Sequence, residues 1–523
     1  MSNIKDKKFN DIPIKVETLS DSEKGSTLAT VEDYDIKRLE ELGYKQEFDR
    51  EISLFAQAGF AFSTMAVLPN WLVGFAATMA AGGPMSLFWG FIVISPFITC
   101  IGLAMAEVFS AFPVNGGVYS WCYLLSSEEW GPLMSWICGY LFLGGNIAAA
   151  MTVAYSLGDF TIAAINILRE EEIDNQGANV GLFIAFLITS LICSYFGLKF
   201  NAFMNKFIVF WAAIGTIIIV VAMPVMAPTN PSAKWVFTEF QNTTGYSNSA
   251  LTFFLGMLQA GWSLIGYENG AQIAEGTKDA DISGPRGIII SIIGAVAQGI
   301  ILSIATLFSI QDIDELLSSS FPLSTLFVRA TNESLAVFFM VILIVTQFVT
   351  LCNVVYAASQ MTWSMARDGA LIPHAKFWYA LHGKHKVPLR IMLMIVGIAI
   401  IVIMPSFATP VYFSAIMSTA VVSINATYGL PFVCRLIWKR HDMPKGRFNL
   451  GRFSLPINII AVAWILFFSV ILCIPSVHPV DAVTMNWASL MIGAIVIFSL
   501  TFWFLGGRKT YKGPMQTLSE NKD

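Results

Sequence analysis

A carboxylate in the middle of an apolar run is the clearest chemical signal in this sequence: Glu268, within Gly261-Trp262-Ser263-Leu264-Ile265-Gly266-Tyr267-Glu268-Asn269-Gly270-Ala271-Gln272. An ionisable group at membrane depth costs about 2.5–3.5 kcal/mol to insert, so it marks a functional site by default. The glycines around it permit the helix to unwind, and an unwound stretch bearing a carboxylate can hold an ammonium group or exchange a proton. The plainer alternative is a Glu268 that stays protonated and hydrogen-bonded within a helix bundle.

A second interruption lies upstream, where Ser63, Thr64, Met65 and Ala66 precede Pro69. Proline removes one backbone donor and frees the carbonyl four residues earlier. In lipid such a group is tolerated only where protein, ligand or a water-filled cavity satisfies it. An ordinary proline kink is the alternative. If the two breaks meet, Ser63, Thr64, Met65 and Ala66 offer a carboxylate-binding side, and Tyr267, Glu268 and Asn269 an amine-binding side. Trp71, Trp262 and Tyr267 are candidates for an aromatic box around a cation, a contact worth about 0.5–2 kcal/mol. Asp159 is a second candidate proton site, with a solvated carboxylate as its alternative. Glu107 is a candidate partner for Arg286 or Arg367, either as a gate or as a fixed ion pair.

The elements that must position these residues follow from composition. Of 523 residues, 55% are hydrophobic and only 13% charged, against about 25% charged in soluble domains. That excludes a soluble globular protein, a disordered chain and a nucleic-acid binder. Hydropathy gives twelve membrane-spanning helices, near residues 52–80, 84–109, 131–167, 180–197, 203–223, 250–275, 286–309, 334–365, 388–404, 408–437, 454–474 and 484–504. With the N-terminus inside, the outer loops hold Arg169, Lys234 and Arg329, and the other 28 of the 31 Lys and Arg fall on the inner side. Both termini are therefore expected in the cytoplasm. The interrupted spans are the first and the sixth, corresponding positions if spans 1–5 and 6–10 are inverted halves, which is the sequence pointer to a secondary transporter's binding site.

The organisation expected is a cytoplasmic tail over 1–50, a transport core over 51–440, two additional spans over 441–505 and a second tail over 506–523. The first fifty residues alternate Lys, Asp, Glu and Ser with no apolar region or cleavage site, so they read as a solvated tail rather than a signal peptide. The sequons at Asn242 and Asn332 fall in outer loops and are compatible with glycosylation. Seven cysteines form no C-x-x-C pair, and the five histidines form no H-E-x-x-H. Neither a disulfide framework, nor a metal site, nor a cofactor is expected.

Several stretches resemble the amino acid–polyamine–organocation superfamily, and within it the fungal and plant amino acid/choline branch of GABA and choline permeases. They are Glu41 to Glu47; Gly82-Gly83-Pro84 with Trp89-Gly90; Met105-Ala106-Glu107 with Pro113, Gly116, Gly117, Tyr119 and Trp121; Ser283 to Gly287; Ala366 to Pro373; Val387-Pro388; Phe448 to Phe453; and Tyr511 to Pro514. The resemblance implies an all-α integral membrane protein with a five-plus-five inverted-repeat core, broken helices 1 and 6, two further C-terminal helices, alternating access, and in fungi import coupled to protons. The branch often carries Asp followed four residues later by His in span 6, where this chain has Glu268 and Gln272.

The function expected is thus a permease that imports a small amino acid or related amine, with the bilayer as solvent and a proton as coupling ion. Two rivals remain open at this level: a carrier of choline, thiamine or a polyamine-type cation, and a nutrient receptor that does not transport. An enzyme is not expected, because no nucleophile–base pair or metal cluster is present. The plasma membrane is the expected site, with vacuole or another endomembrane as the alternative.

Overall fold

A computed structural model describes residues 31–41, 50, 52–169, 173, 175–371, 375–407, 412–481 and 484–514 of the chain. The Leu42–Glu47 part of the first motif stretch, and Ile372 and Pro373 of another, lie outside the described residues. The protein is all-helical, with no strand among the described residues. Among the described residues, eleven helical segments are long and apolar enough to cross a bilayer. The expected first span is present as three consecutive pieces, Leu54–Met65, Val67–Val73 and Phe75–Ala80, each too short to cross alone.

Span 2 is Gly83–Ala111, span 3 Gly131–Ile167, span 4 Gln176–Tyr195 and span 5 Gly197–Met226. Span 6 is divided into Ser249–Leu255, Leu258–Ser263 and a tighter 3-10 stretch, Tyr267–Gly276. Spans 7 to 10 are Ala280–Leu307, Glu333–Arg367, Leu389–Val402 and Tyr412–Trp438. Spans 11 and 12 are Ser454–Cys473 and Ala488–Phe502. Span 5 begins six residues before its hydropathic start, because the asparagine amides there donate to carbonyls of the same helix. Asn201 donates to the Gly197 carbonyl and Asn205 to the Asn201 carbonyl, each at 2.9 Å, which offsets part of the cost of burying these amides.

Corresponding members of the two five-helix halves pack on each other: span 2 on 7, span 3 on 8, and the pieces of span 1 on those of span 6. Span 11 covers spans 2 and 10, and span 12 covers spans 3 and 10. The loops that follow spans 8 and 10 are rich in Lys and Arg, among them Lys384, Lys386, Lys439, Arg440, Lys445, Arg447 and Arg452, and define a basic end of the bundle.

The N-terminal region is not wholly a solvated tail. Residues Val31–Glu41 form a helix that docks on the basic end, with Leu39 buried in the core. Arg38 donates to the Ala111 carbonyl at 3.1 Å, and the Asp279 amide donates to Asp35 at 2.7 Å. Arg50 lies 3.4 Å from Asp35 and donates to the Thr277 carbonyl at 2.8 Å. Burial raises the Asp35 carboxyl above its ordinary pKa, with Arg50 pulling the other way. Arg447, between spans 10 and 11, binds both Asp279 and Asp281. Burial works against its charge, yet those two carboxylates hold its pKa above the usual guanidinium value. Hydropathy could not show this docking, because the helix is charged and is fastened by pairing rather than by an apolar face.

Candidate functional site

The first break falls at Ala66, three residues before the proline. Ala66 is left-handed, with φ 41° and ψ 52°, a conformation that costs a non-glycine residue roughly 1–2 kcal/mol. Pro69 sits in the first turn of Val67–Val73, where a missing N–H matters little. The carbonyl it leaves open, that of Met65, accepts 2.9 Å from the Asn70 side-chain amide. Asn70 in turn accepts from Gln347 of span 8 at 3.2 Å, and Gln347 also donates to Ser156 of span 3 at 2.8 Å. The break is thus built into the fold and held from three sides.

The second break covers residues 264–266 and ends on Gly266, with φ 101°. A Cβ there would lie 3.1 Å from the Thr64 side chain, so glycine serves both the positive φ and the close approach of the two breaks. The Gly266 amide donates to the Tyr428 hydroxyl at 3.2 Å, and that hydroxyl donates to Glu268 Oε2. Glu268 is fully buried, and its Oε1 has no hydrogen-bond partner among the described residues. The Trp262 Nε1, Tyr267 hydroxyl and Asn269 Oδ1 are likewise buried without partners there. Several unpaired polar atoms converging on one place is uncommon in a folded interior and suits a site that is completed by a ligand.

Trp262, Glu268 and Asn269 line a cavity of about 20 Å3 together with Thr64, Asn70, Asn146 and Gly266, with apolar walls from Ala149, Val153, Ile265, Val354 and Ile424. That volume holds about one water, so the described conformation is closed around its centre. Toward the basic end Gln57 ties span 1 to span 6, donating to the Gly270 carbonyl at 2.6 Å and accepting from Thr277 at 3.0 Å. At the other end the Gln259 side chain donates to the Trp71 carbonyl at 2.6 Å, beside the Asn70–Gln347–Ser156 cluster.

The expected site residues divide between places. Thr64, Glu268 and Asn269 line the central cavity together. Tyr267 lies beside them, its ring 5.1 Å from that of Tyr428. Met65 is buried and contributes its carbonyl to Asn70. Ser63 and Ala66 face instead a neighbouring cavity of about 10 Å3 toward span 5. There the Ser63 hydroxyl pairs with Asn205 and accepts from Asn353 at 3.0 Å. Trp71 leaves the expected aromatic box, since its Nε1 donates to Ser303 of span 7 at 3.1 Å. Tyr428 is the aromatic that joins Trp262 and Tyr267 near the carboxylate.

Asp159 is paired with Asn179 and lines a separate recess of about 160 Å3 at the end opposite the basic loops. It does not share the cavity of Glu268. Glu107 pairs with Arg435 at 2.7 Å, not with Arg286 or Arg367. Arg286 is exposed, and Arg367 lies 3.4 Å from Asp368. Asn242 and Asn332 are both exposed at the end away from the basic loops, where Asn332 caps the start of span 8. The polar residues that sequence reasoning missed are Asn70, Asn146, Asn205, Gln347, Asn353 and Tyr428. An amide inside an apolar span is itself a signal, but nothing in one sequence says which amides meet.

A family model described as amino acid permease matches residues 52–497, from the start of span 1 into span 12. The chain belongs to the amino acid permease family. Over 502 residues it is 31% identical to the amino-acid permease BAT1 homolog of Oryza sativa subsp. japonica, covering 92% of this chain and 95% of that protein. It is 28% identical to amino-acid permease BAT1 of Arabidopsis thaliana, over 92% of this chain and 96% of that one. It is 27% identical to amino-acid permease 2 of Neurospora crassa, over 92% and 89% respectively. The permease is therefore a multi-pass membrane transport protein and not an enzyme.

Tyr428 gives this permease a direct test. In Tyr428→Phe, the Gly266 amide and Glu268 lose a shared partner, and a hydrogen bond to a charged group contributes about 1.5–3 kcal/mol. Uptake is expected to fall about ten- to a hundredfold while the protein still elutes as a folded species in detergent. Uptake equal to wild type would show that Tyr428 does not position the break.

Proposed function

We propose that the permease is a secondary active importer of a small zwitterionic amino acid, coupled to the proton gradient. The observation that carries this reading is Glu268. It is a buried carboxylate with one unpartnered oxygen, facing a cavity that it shares with Thr64 at the break of span 1. Broken helices present backbone amides at one end and carbonyls at the other, which suits a substrate bearing both a carboxylate and an ammonium group. The substrate carboxylate lies against the span 1 break and its ammonium against Tyr267, Glu268 and Asn269. Glu268 changes protonation as the closed cavity opens first to one side and then to the other. The names of the relatives, all amino-acid permeases, point to the same substrate class.

Competition separates this from carriage of a permanent cation. In proteoliposomes with an inward proton gradient, unlabelled zwitterionic amino acids are expected to suppress uptake of the labelled substrate. Choline, thiamine and polyamines are expected to leave it within about twofold. Strong competition by choline with none from any amino acid would make Glu268 a counter-charge for a cation and overturn the reading. Binding without uptake would make the protein a receptor.

A further inference from the structure

A recess of about 420 Å3 opens on the flank of the bundle between spans 3, 9, 10 and 12, away from the substrate cavity. Its walls are largely apolar, and the two side-chain hydroxyls among them, those of Tyr140 and Thr419, are both engaged. Tyr140 donates to the Ala370 carbonyl at 3.1 Å and Thr419 to the Ala415 carbonyl at 2.7 Å. Water in such a recess would find few partners, so an apolar occupant is favoured. Its span 3 wall runs from Tyr140 to Met151, about 16 Å at a helical rise of roughly 1.5 Å per residue. That is half the hydrocarbon thickness of about 30 Å, the depth of one leaflet.

The mouth at the basic end carries a charge. Arg390 opens span 9, and the recess-lining Met394 and Ile398 follow it four and eight residues later on the same helix face. The Arg390 guanidinium donates to the Phe377 carbonyl at 2.7 Å and lies 4.2 Å from the centre of the Phe377 ring, next to Trp378 of the recess wall. A guanidinium has five N–H donors and matches phosphate geometry.

We propose that this recess holds one acyl chain of an anionic phospholipid from the leaflet at the basic end, with its phosphate on Arg390. Chain length, apolar lining and charge at the mouth all point to that occupant. The site also touches the transport path. Span 3 presents Asn146, Ala149 and Val153 to the substrate cavity, and Gly144, Ala148 and Met151 to the recess. A chain seated behind span 3 therefore supports the wall that faces substrate.

Native mass spectrometry of the full chain tests this, after exchange into mild detergent with equal amounts of phosphatidylglycerol and phosphatidylcholine. Wild type is expected to retain one phosphatidylglycerol per chain. Ala494→Phe, at an exposed recess position, is expected to lose it, and Ile398→Trp serves as a second filling variant if the first fails to fold. Arg390→Gln is expected to retain lipid but to lose the preference for phosphatidylglycerol by about tenfold. Retention by the folded filling variants equal to wild type, a wild type with no bound lipid, or an unchanged preference in Arg390→Gln would each overturn the proposal. So would a recess occupied by a sterol or covered by a second copy of the chain. Mass is read without transport, so failure here is separable from failure of the proton-coupled reading.

Discussion

Glu268→Gln is expected to abolish concentrative uptake while leaving substrate binding within about tenfold of wild type. One proton moving inward with a neutral zwitterion carries one charge, and 100 mV then supplies about 2.3 kcal/mol. That corresponds to an accumulation ratio of about fiftyfold. Glutamine has nearly the same shape as glutamate and can still accept from Tyr428, so the break in span 6 keeps its geometry. What it cannot do is gain and lose a proton. The expected phenotype is therefore a split, with facilitated exchange of labelled for unlabelled substrate persisting and the accumulation ratio falling to about one. The measurement is uptake by proteoliposomes at imposed potential, paired with binding in detergent. Accumulation unchanged in this variant would remove Glu268 from the coupling step and direct attention to Asp159, which lies in a separate recess.

The second large effect is on folding. Arg435 of span 10 donates to Glu107 of span 2 at 2.7 Å, the Ser454 hydroxyl of span 11 donates to Glu107 at 2.6 Å, and the Leu450 amide donates to it at 3.3 Å. Both charged side chains are more than nine-tenths buried. Removing one partner of such a pair leaves a buried uncompensated charge and costs about 3–5 kcal/mol. Arg435→Gln is therefore expected to lower the melting temperature sharply and to reduce the yield of folded protein. Glu107→Gln in the same background is expected to restore part of the loss, because the unpaired carboxylate is gone. A double-mutant cycle by thermal unfolding in detergent measures the coupling. A single variant as stable as wild type would mean that the pair does not hold spans 2, 10 and 11 together. Its connection of an added span to the core also explains why the two expected partners, Arg286 and Arg367, are not needed there.

The two effects lie in different parts of the molecule and separate experimentally. The first concerns a carboxylate held by the Tyr428 hydroxyl at a break, where the proposed function needs the charge to move. The second concerns a carboxylate fixed by three donors, where immobility is the function. Both residues are buried glutamates in apolar spans, and only their partners distinguish them.

What the sequence by itself determined is whatever depends on local composition and spacing. Apolar runs long enough to cross a bilayer can satisfy their backbone only as helices, so the all-helical membrane class followed from hydropathy. Breaks near Pro69 and around Gly266 followed because proline and glycine act on their own backbone, and Glu268 stood out because a carboxylate in an apolar run is costly wherever it points. Only the tertiary structure decided which side chains meet. It moved the first break to Ala66, because Asn70 takes the carbonyl that Pro69 leaves open. It turned Ser63 toward Asn205 and Asn353 rather than the central cavity, placed Trp71 on Ser303, gave Tyr428 to Glu268, and gave Arg435 to Glu107. Each of these partners is distant in sequence, and a polar residue in an apolar span announces that it needs a partner without saying which. Packing of the helices supplies that choice, since buried polar groups are stable only where the fold brings a complementary group within hydrogen-bond reach.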